Sequence, residues 1–207
     1  TVWAVGASRH GSEYGLYSWN GYNWLERSGS AIRVDVDNLG RPWIINDDNE
    51  IWLLERGRWE RIRGSATDIG VGADGTVWAL GITERRGGFE VFRLGSYGWI
   101  KVEGSAVRID VDPQGVPWVI NHEDHIYRLE NGSWRRMPGL AKDIGIGADG
   151  SVWVIGSDER SGGYGIYQFN GYGWDRIEGS GRQISVGPDG TPWVVNRAGD
   201  IYRSWAY

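Results

Sequence analysis

Three aromatic residues, Tyr14, Phe89 and Tyr164, stand 75 positions apart, each near the end of a polar, glycine-bearing stretch: ASRHGSEYG (7–15), ITERRGGFE (82–90) and SDERSGGYG (157–165). Three amides, Asn46, Asn121 and Asn196, recur at the same interval, preceded by Arg33, Arg108 and, in the third copy, Gln183. An aromatic face accepts the C–H side of a ring, and an amide donates and accepts at once, which suits vicinal hydroxyls. The set is the chemistry of a shallow site for a polyhydroxylated ligand. Each member also has a plainer reading. The aromatic can plug its loop onto its own sheet, and the amide can cap its own turn. Arg33 and Arg108 can pair with Asp68 and Asp143, which hold the aligned positions of the alternate copies; exposed pairs of that kind are worth only about 0–1 kcal/mol.

Catalysis by a nucleophile and its base needs residues unique to one place. None of the three His is repeated or falls on an inner strand. Threefold recurrence points instead to up to three near-equivalent binding sites and avidity, with no enzyme activity and no cofactor. DVDNLG (35–40) and DVDPQG (110–115) open like a calcium loop but run into Pro-Trp with no Glu at the twelfth position. His122-Glu123-Asp124-His125 is unmatched in the aligned turns, DDNE and RAGD, so it reads as a solvated turn, not a metal site. The sequon Asn131-Gly132-Ser133 lies in a tight turn and matters only in a secreted chain.

The elements that position these residues follow from the period. Trp3, Trp43, Trp78, Trp118, Trp153 and Trp193 mark six units of alternating length, and the text itself repeats. ATDIGVGADGTVWALG (66–81) returns as AKDIGIGADGSVWVIG (141–156), and SAIRVDVDNLGRPWIIN (30–46) as SAVRIDVDPQGVPWVIN (105–121). Within one unit the spacing predicts four short antiparallel strands, A over 106–112, B over 116–121, C over 126–130 and D over 133–139, cut by DPQG, HEDH and NG turns. Pro42, Pro117 and Pro192 open strand B, where a missing N–H costs least. The strand-B Trp, and Trp24, Trp59, Trp99, Trp134 and Trp174 of strand D, read as packing between neighbouring sheets.

Six four-stranded units make one domain over 1–207: an all-β, six-bladed propeller, pseudo-threefold in blade pairs. The register starts at strand B of the first unit and stops after strand C of the sixth. The seam therefore lacks an outer and an inner strand, equivalent to 58–75, and an open edge there is a liability that favours native residues ahead of Thr1. Arg33, Asp68, Arg108 and Asp143 should form one layer at the channel mouth.

Composition narrows the partners. A net charge of −5 argues against nucleic acid or an anionic membrane surface. No apolar run is long enough for membrane insertion and no leader is visible at the N-terminus, so a cytoplasmic or non-classically released protein is expected. Zero Cys excludes disulfides, thiolate metal sites and a cysteine nucleophile. Formation of a homo-oligomer is left open.

The repeated units IGVGADGTVWALG and IDVDPQGVPWVIN…IYR resemble the tectonin repeat along essentially the whole chain, and the alternating unit length is closest to the fungal kind. The resemblance implies a β-propeller lectin: glycans as partners, O-methylated ones for some members, and a part in innate defence. It does not carry over one sugar. Relatives in membrane-trafficking proteins imply the alternative of a protein- or lipid-interaction scaffold. On the lectin reading the sites combine Tyr14, Arg33 and Asn46; Phe89, Arg108 and Asn121; and Tyr164, Gln183 and Asn196.

Overall fold

The structure is a computed structural model and describes residues 2–10 and 13–203. Among them there are twenty-one antiparallel strands and no helix. The first sheet holds β1 (Val2–His10), β2 (Glu13–Trp19) and β3 (Trp24–Ala31). The second holds β4 (Arg33–Val36), β5 (Pro42–Ile45), β6 (Glu50–Glu55) and β7 (Arg58–Ser65). The third runs β8 (Asp68–Val71), β9 (Val77–Arg85), β10 (Gly88–Gly95) and β11 (Gly98–Ala106). β12 (Arg108–Val111), β13 (Pro117–Ile120), β14 (His125–Glu130), β15 (Ser133–Ile146), β16 (Val152–Arg160), β17 (Gly163–Phe169) and β18 (Trp174–Gly181) form one seven-stranded sheet. β19 (Gln183–Val186), β20 (Pro192–Val195) and β21 (Ile201–Arg203) form the last.

In the seven-stranded sheet two units of four strands, β12–β15 and β15–β18, are joined through one shared strand. β15 pairs with β14 through its first half and with β16 through its second, so the expected outer strand 133–139 continues without a break into the next inner strand. Elsewhere the backbone bends at Ile32, Thr67, Val107 and Arg182 between those two roles. In β15 the same crossing is absorbed by a register shift between Ala141 and Asp143.

The 75-residue period survives in the hydrogen bonding: Arg33 faces Ile45, Arg108 faces Ile120 and Gln183 faces Val195. The DVD and GADG turns hold themselves. Asp37 Oδ1 accepts from Leu39 N and Arg41 N, and Asp112 Oδ1 from Gln114 N and Val116 N. The remaining carboxylate oxygen of each meets Arg41 or Arg128 at 2.8 and 2.9 Å. These aspartates are turn caps.

The strand-B tryptophans Trp43, Trp78, Trp118 and Trp153 are buried, as expected of inter-sheet packing, while Trp3 and Trp193 are half-buried. Trp193 lies 5.9 Å from Trp19 and 5.8 Å from Trp24, so the last sheet meets the first. The contact reproduces the Trp118–Phe169 pair inside the chain, at 5.5 Å. The inner strands surround an axial channel of about 250 Å³ that reaches from Val2 and Trp3 round to Ser185 and Trp193.

Candidate functional site

Inner strands are tied to their neighbours by aspartates. Asp35 Oδ2 accepts from Val71 N (2.6 Å), Asp68 Oδ2 from Ile109 N (3.1 Å), Asp110 Oδ2 from Ile146 N (2.7 Å) and Asp143 Oδ2 from Ile184 N (2.8 Å). Burial pushes Asp35 up to about 7 and Asp143 up to about 6, and it raises Asp68 and Asp110 as well. For Asp110 the negative charge of Asp35 adds to the effect. Sequence reading treated Asp35 and Asp110 only as parts of a turn motif. Their 75-residue spacing, on a strand that faces the channel, was the signal that they act across it.

The charged layer at the channel mouth is present. Arg33 Nε lies 3.3 Å from Asp68 Oδ1, and Arg108 Nε lies 3.4 Å from Asp143 Oδ1. Each guanidinium also donates to the carbonyl before it, Ile32 or Val107. Gln183 is exposed. Both arginines therefore serve the scaffold first.

The amides are engaged too. Asn46 Oδ1 accepts from Glu50 N, Asn121 Oδ1 from Glu123 N and His125 N, and Asn196 Oδ1 from Ala198 N and Asp200 N. This is turn capping. The half-buried aromatics sit where their strands end, Tyr14 opposite Ala31, Phe89 opposite Ala106 and Tyr164 opposite Gly181. Phe89 packs against the cluster containing Trp78, Leu80, Ile109 and Val119, and Tyr164 against the one containing Trp153, Ile155 and Ile184. Lys142 Nζ lies 6.0 Å from the Tyr164 ring.

The expected residues nonetheless converge on one kind of corner. His122 N donates to Gly87 O (3.0 Å) and Arg197 N to Gly162 O (2.9 Å), so two of the long loops rest on the turn that follows Asn121 or Asn196. In the first copy, Gly11 and Ser12 lie outside the described residues. The third corner opens into a cleft of about 420 Å³ that includes Ser161, Gly162 and Asn196.

A second threefold set escaped the sequence reading. Tyr22, Tyr97 and Tyr172 are almost wholly exposed at the tips of the β2–β3, β10–β11 and β17–β18 hairpins. Their signal was a Tyr-x-Trp tripeptide returning every 75 residues, as in NGYNW, GSYGW and NGYGW. Tyr97 borders an open groove of about 720 Å³ with Asp74, Thr76 and Trp99.

The tectonin-domain family profile matches residues 30–118 and 84–161, which together span more than half of the chain. The chain belongs to the tectonin family. Tectonin-2 of Physarum polycephalum is 34% identical over 56 residues, a stretch that is 27% of this tectonin chain and 14% of that protein. Among solved structures, TolB from Acinetobacter baumannii aligns with a TM-score of 0.65 at 15% identity, over 92% of this chain and 58% of that one. Regucalcin from Agrobacterium tumefaciens aligns at 0.62 and 13% identity, over 88% and 74% of the two chains. A streptogramin B lyase aligns at 0.56 and 16% identity, over 92% and 85%. At such identities these likenesses concern the fold alone: the tectonin chain is all-β with propeller-like neighbours.

Proposed function

We propose that this chain is a multivalent glycan-binding lectin without catalytic activity, built as a six-bladed propeller in pseudo-threefold blade pairs with three-stranded blades at the seam. The observation that supports it best is the recurring corner, in a tectonin-family chain, where an aromatic strand end and a long loop meet the Asn-capped turn of the next unit. Because Arg33, Arg108 and the three Asn oxygens are engaged, ligand contacts come mainly from the rims of Tyr14, Phe89 and Tyr164, the loop backbones and Gln183. O-methylated sugars are the preferred class, since burying one methyl is worth roughly 0.8 kcal/mol, about fourfold per site. A glycan array that includes O-methylated sugars tests the class. Titration of a monovalent O-methyl sugar against Tyr14→Ala, Phe89→Ala and Tyr164→Ala, singly and together, tests the place. Each single change should remove one site, and an unaltered stoichiometry in a folded triple variant would move the ligand elsewhere.

The second reading, a protein- or lipid-interaction scaffold, draws on the exposed Tyr22, Tyr97 and Tyr172. It predicts a silent glycan array and loss of partner binding when these three are replaced by alanine.

A further inference from the structure

The fold fills one hairpin position in two ways. Two residues ahead of the outer-strand tryptophan stand Gly57 and Gly132 in the alternate units, but Tyr22, Tyr97 and Tyr172 in the others. Gly57 and Gly132 both have φ 78° and close their turns with no side chain at all. The tyrosine-bearing turns are also closed without the ring. Asn20 Oδ1 accepts from Tyr22 N (2.9 Å) and Asn23 N (2.8 Å), and Asn170 Oδ1 accepts from Tyr172 N (3.1 Å) and Gly173 N (2.8 Å). Beneath Tyr97 the pair Gly95–Gly98 closes the ladder. The three rings are almost wholly exposed, so the hairpins do not account for them.

These tips lie at the end of the molecule opposite the corners. Successive strands of a unit alternate in direction, so the β8–β9 turn and the β10–β11 hairpin share one end. The β9–β10 loop, which leads into Phe89, lies at the other. The 720 Å³ groove at the tyrosine end runs between that turn and that hairpin, with complete units, β4–β7 and β12–β15, on both sides. The turn contributes Asp74 and Thr76, and the hairpin contributes Arg93 and Tyr97 beside the half-buried Trp99. Thr76 Oγ1 donates to Asp74 Oδ2 (2.6 Å), which fixes an exposed carboxylate at the rim. Arg93 is exposed as well and, among the described residues, forms no ion pair, with Asp74 or any other carboxylate.

An acceptor and a donor that line one groove without meeting suit hydroxyl groups, which donate and accept at once. The Tyr97 ring offers a face for the C–H side of a pyranose. A membrane-inserting tip would need apolar neighbours, whereas this one has Ser96, Gly98 and Asp74. We propose that the β8–β9 turn and the β10–β11 hairpin form a site for a neutral sugar, separate from the corners and at the opposite end of the molecule. The arrangement returns 75 positions on, where Ser151 Oγ donates to Asp149 Oδ1 (2.8 Å) and Gln168 and Tyr172 take the places of Arg93 and Tyr97. With ligands also at the corners, a step that rests on the lectin reading above, one chain joins two glycan-bearing surfaces.

The isotope-labelled full chain is titrated with glucose, galactose, mannose and N-acetylglucosamine, and separately with phosphatidylcholine vesicles, while amide shifts are followed by NMR. At least one sugar should move the amides of 74–76 and 96–99 in a saturable way. The response should persist in the triple variant Tyr14→Ala, Phe89→Ala, Tyr164→Ala. It should weaken about tenfold in Tyr97→Ala and be retained in Tyr97→Phe. A response at 96–99 with silent corners upholds this site and counts against the corner reading. Silence at 74–76 and 96–99 with every sugar overturns the proposal, whatever the corners do. A response that disappears in the folded triple variant, or one seen with the vesicles alone, overturns it too.

Discussion

Acidification should stabilise this protein between pH 7.5 and pH 5.5. Burial raises Asp35 to about 7 and Asp143 to about 6 from an ordinary 3.8. A carboxyl whose folded pKa is raised binds more proton in the folded state, so its contribution is fully present below the unfolded pKa. It is lost as pH rises through the folded pKa. Across the two-unit window Asp35 accounts for about 2 kcal/mol and Asp143 for a further ~1 kcal/mol. For a chain of this size that is roughly 5–10 °C in Tm. Glu90, Asp158 and Asp189 are held below their usual range by hydrogen bonds and cationic neighbours, so they lose stability only at still lower pH, outside the window. Calorimetric Tm at half-unit steps, at two protein concentrations because the pI of 5.3 is close, measures the slope. The double variant Asp35→Asn, Asp110→Asn should flatten most of it, although each amide surrenders one acceptor for Val36 and Val71 or for Val111 and Ile146. A Tm that is flat or rises with pH in wild type, or a slope unchanged in the double variant, would refute the claim that buried channel carboxyls control it.

Ile126→Ala should cost about 2–5 kcal/mol in denaturant unfolding, because the side chain is wholly buried, whereas the aligned Ile201→Ala should cost under about 1 kcal/mol. Similar costs would mean that Ile201 is covered. Gly104→Ala should cost more than about 1 kcal/mol, since the new Cβ meets Trp134 Nε1 at 2.5 Å at positive φ, while Gly173→Ala, with open space around it and no positive φ, should cost well under 1 kcal/mol. Arg108→Met should leave sugar stoichiometry unaltered, because its guanidinium is committed to Asp143 and Val107 O; loss of one site would make it a ligand contact.

How much of this was legible beforehand depends on the range of the interaction. Strand positions, turn chemistry and the 75-residue symmetry are written locally, in Pro-Trp openings, DG and NG turns and apolar alternation, because each unit repeats the same short-range solution. The pairing of Arg33 with Asp68 and Arg108 with Asp143 was legible for the same reason: aligned positions of neighbouring repeats are neighbours in space. Other features needed the tertiary structure. Asn46, Asn121 and Asn196 looked equally suited to a ligand or a turn, and only the backbone N–H groups aimed at their Oδ1 atoms decided for the turn. The continuity of β15 depends on how one bulge absorbs a crossing, which composition does not encode. The raised carboxyls of Asp35 and Asp110 exist because the closed arrangement of sheets buries two like charges across one channel.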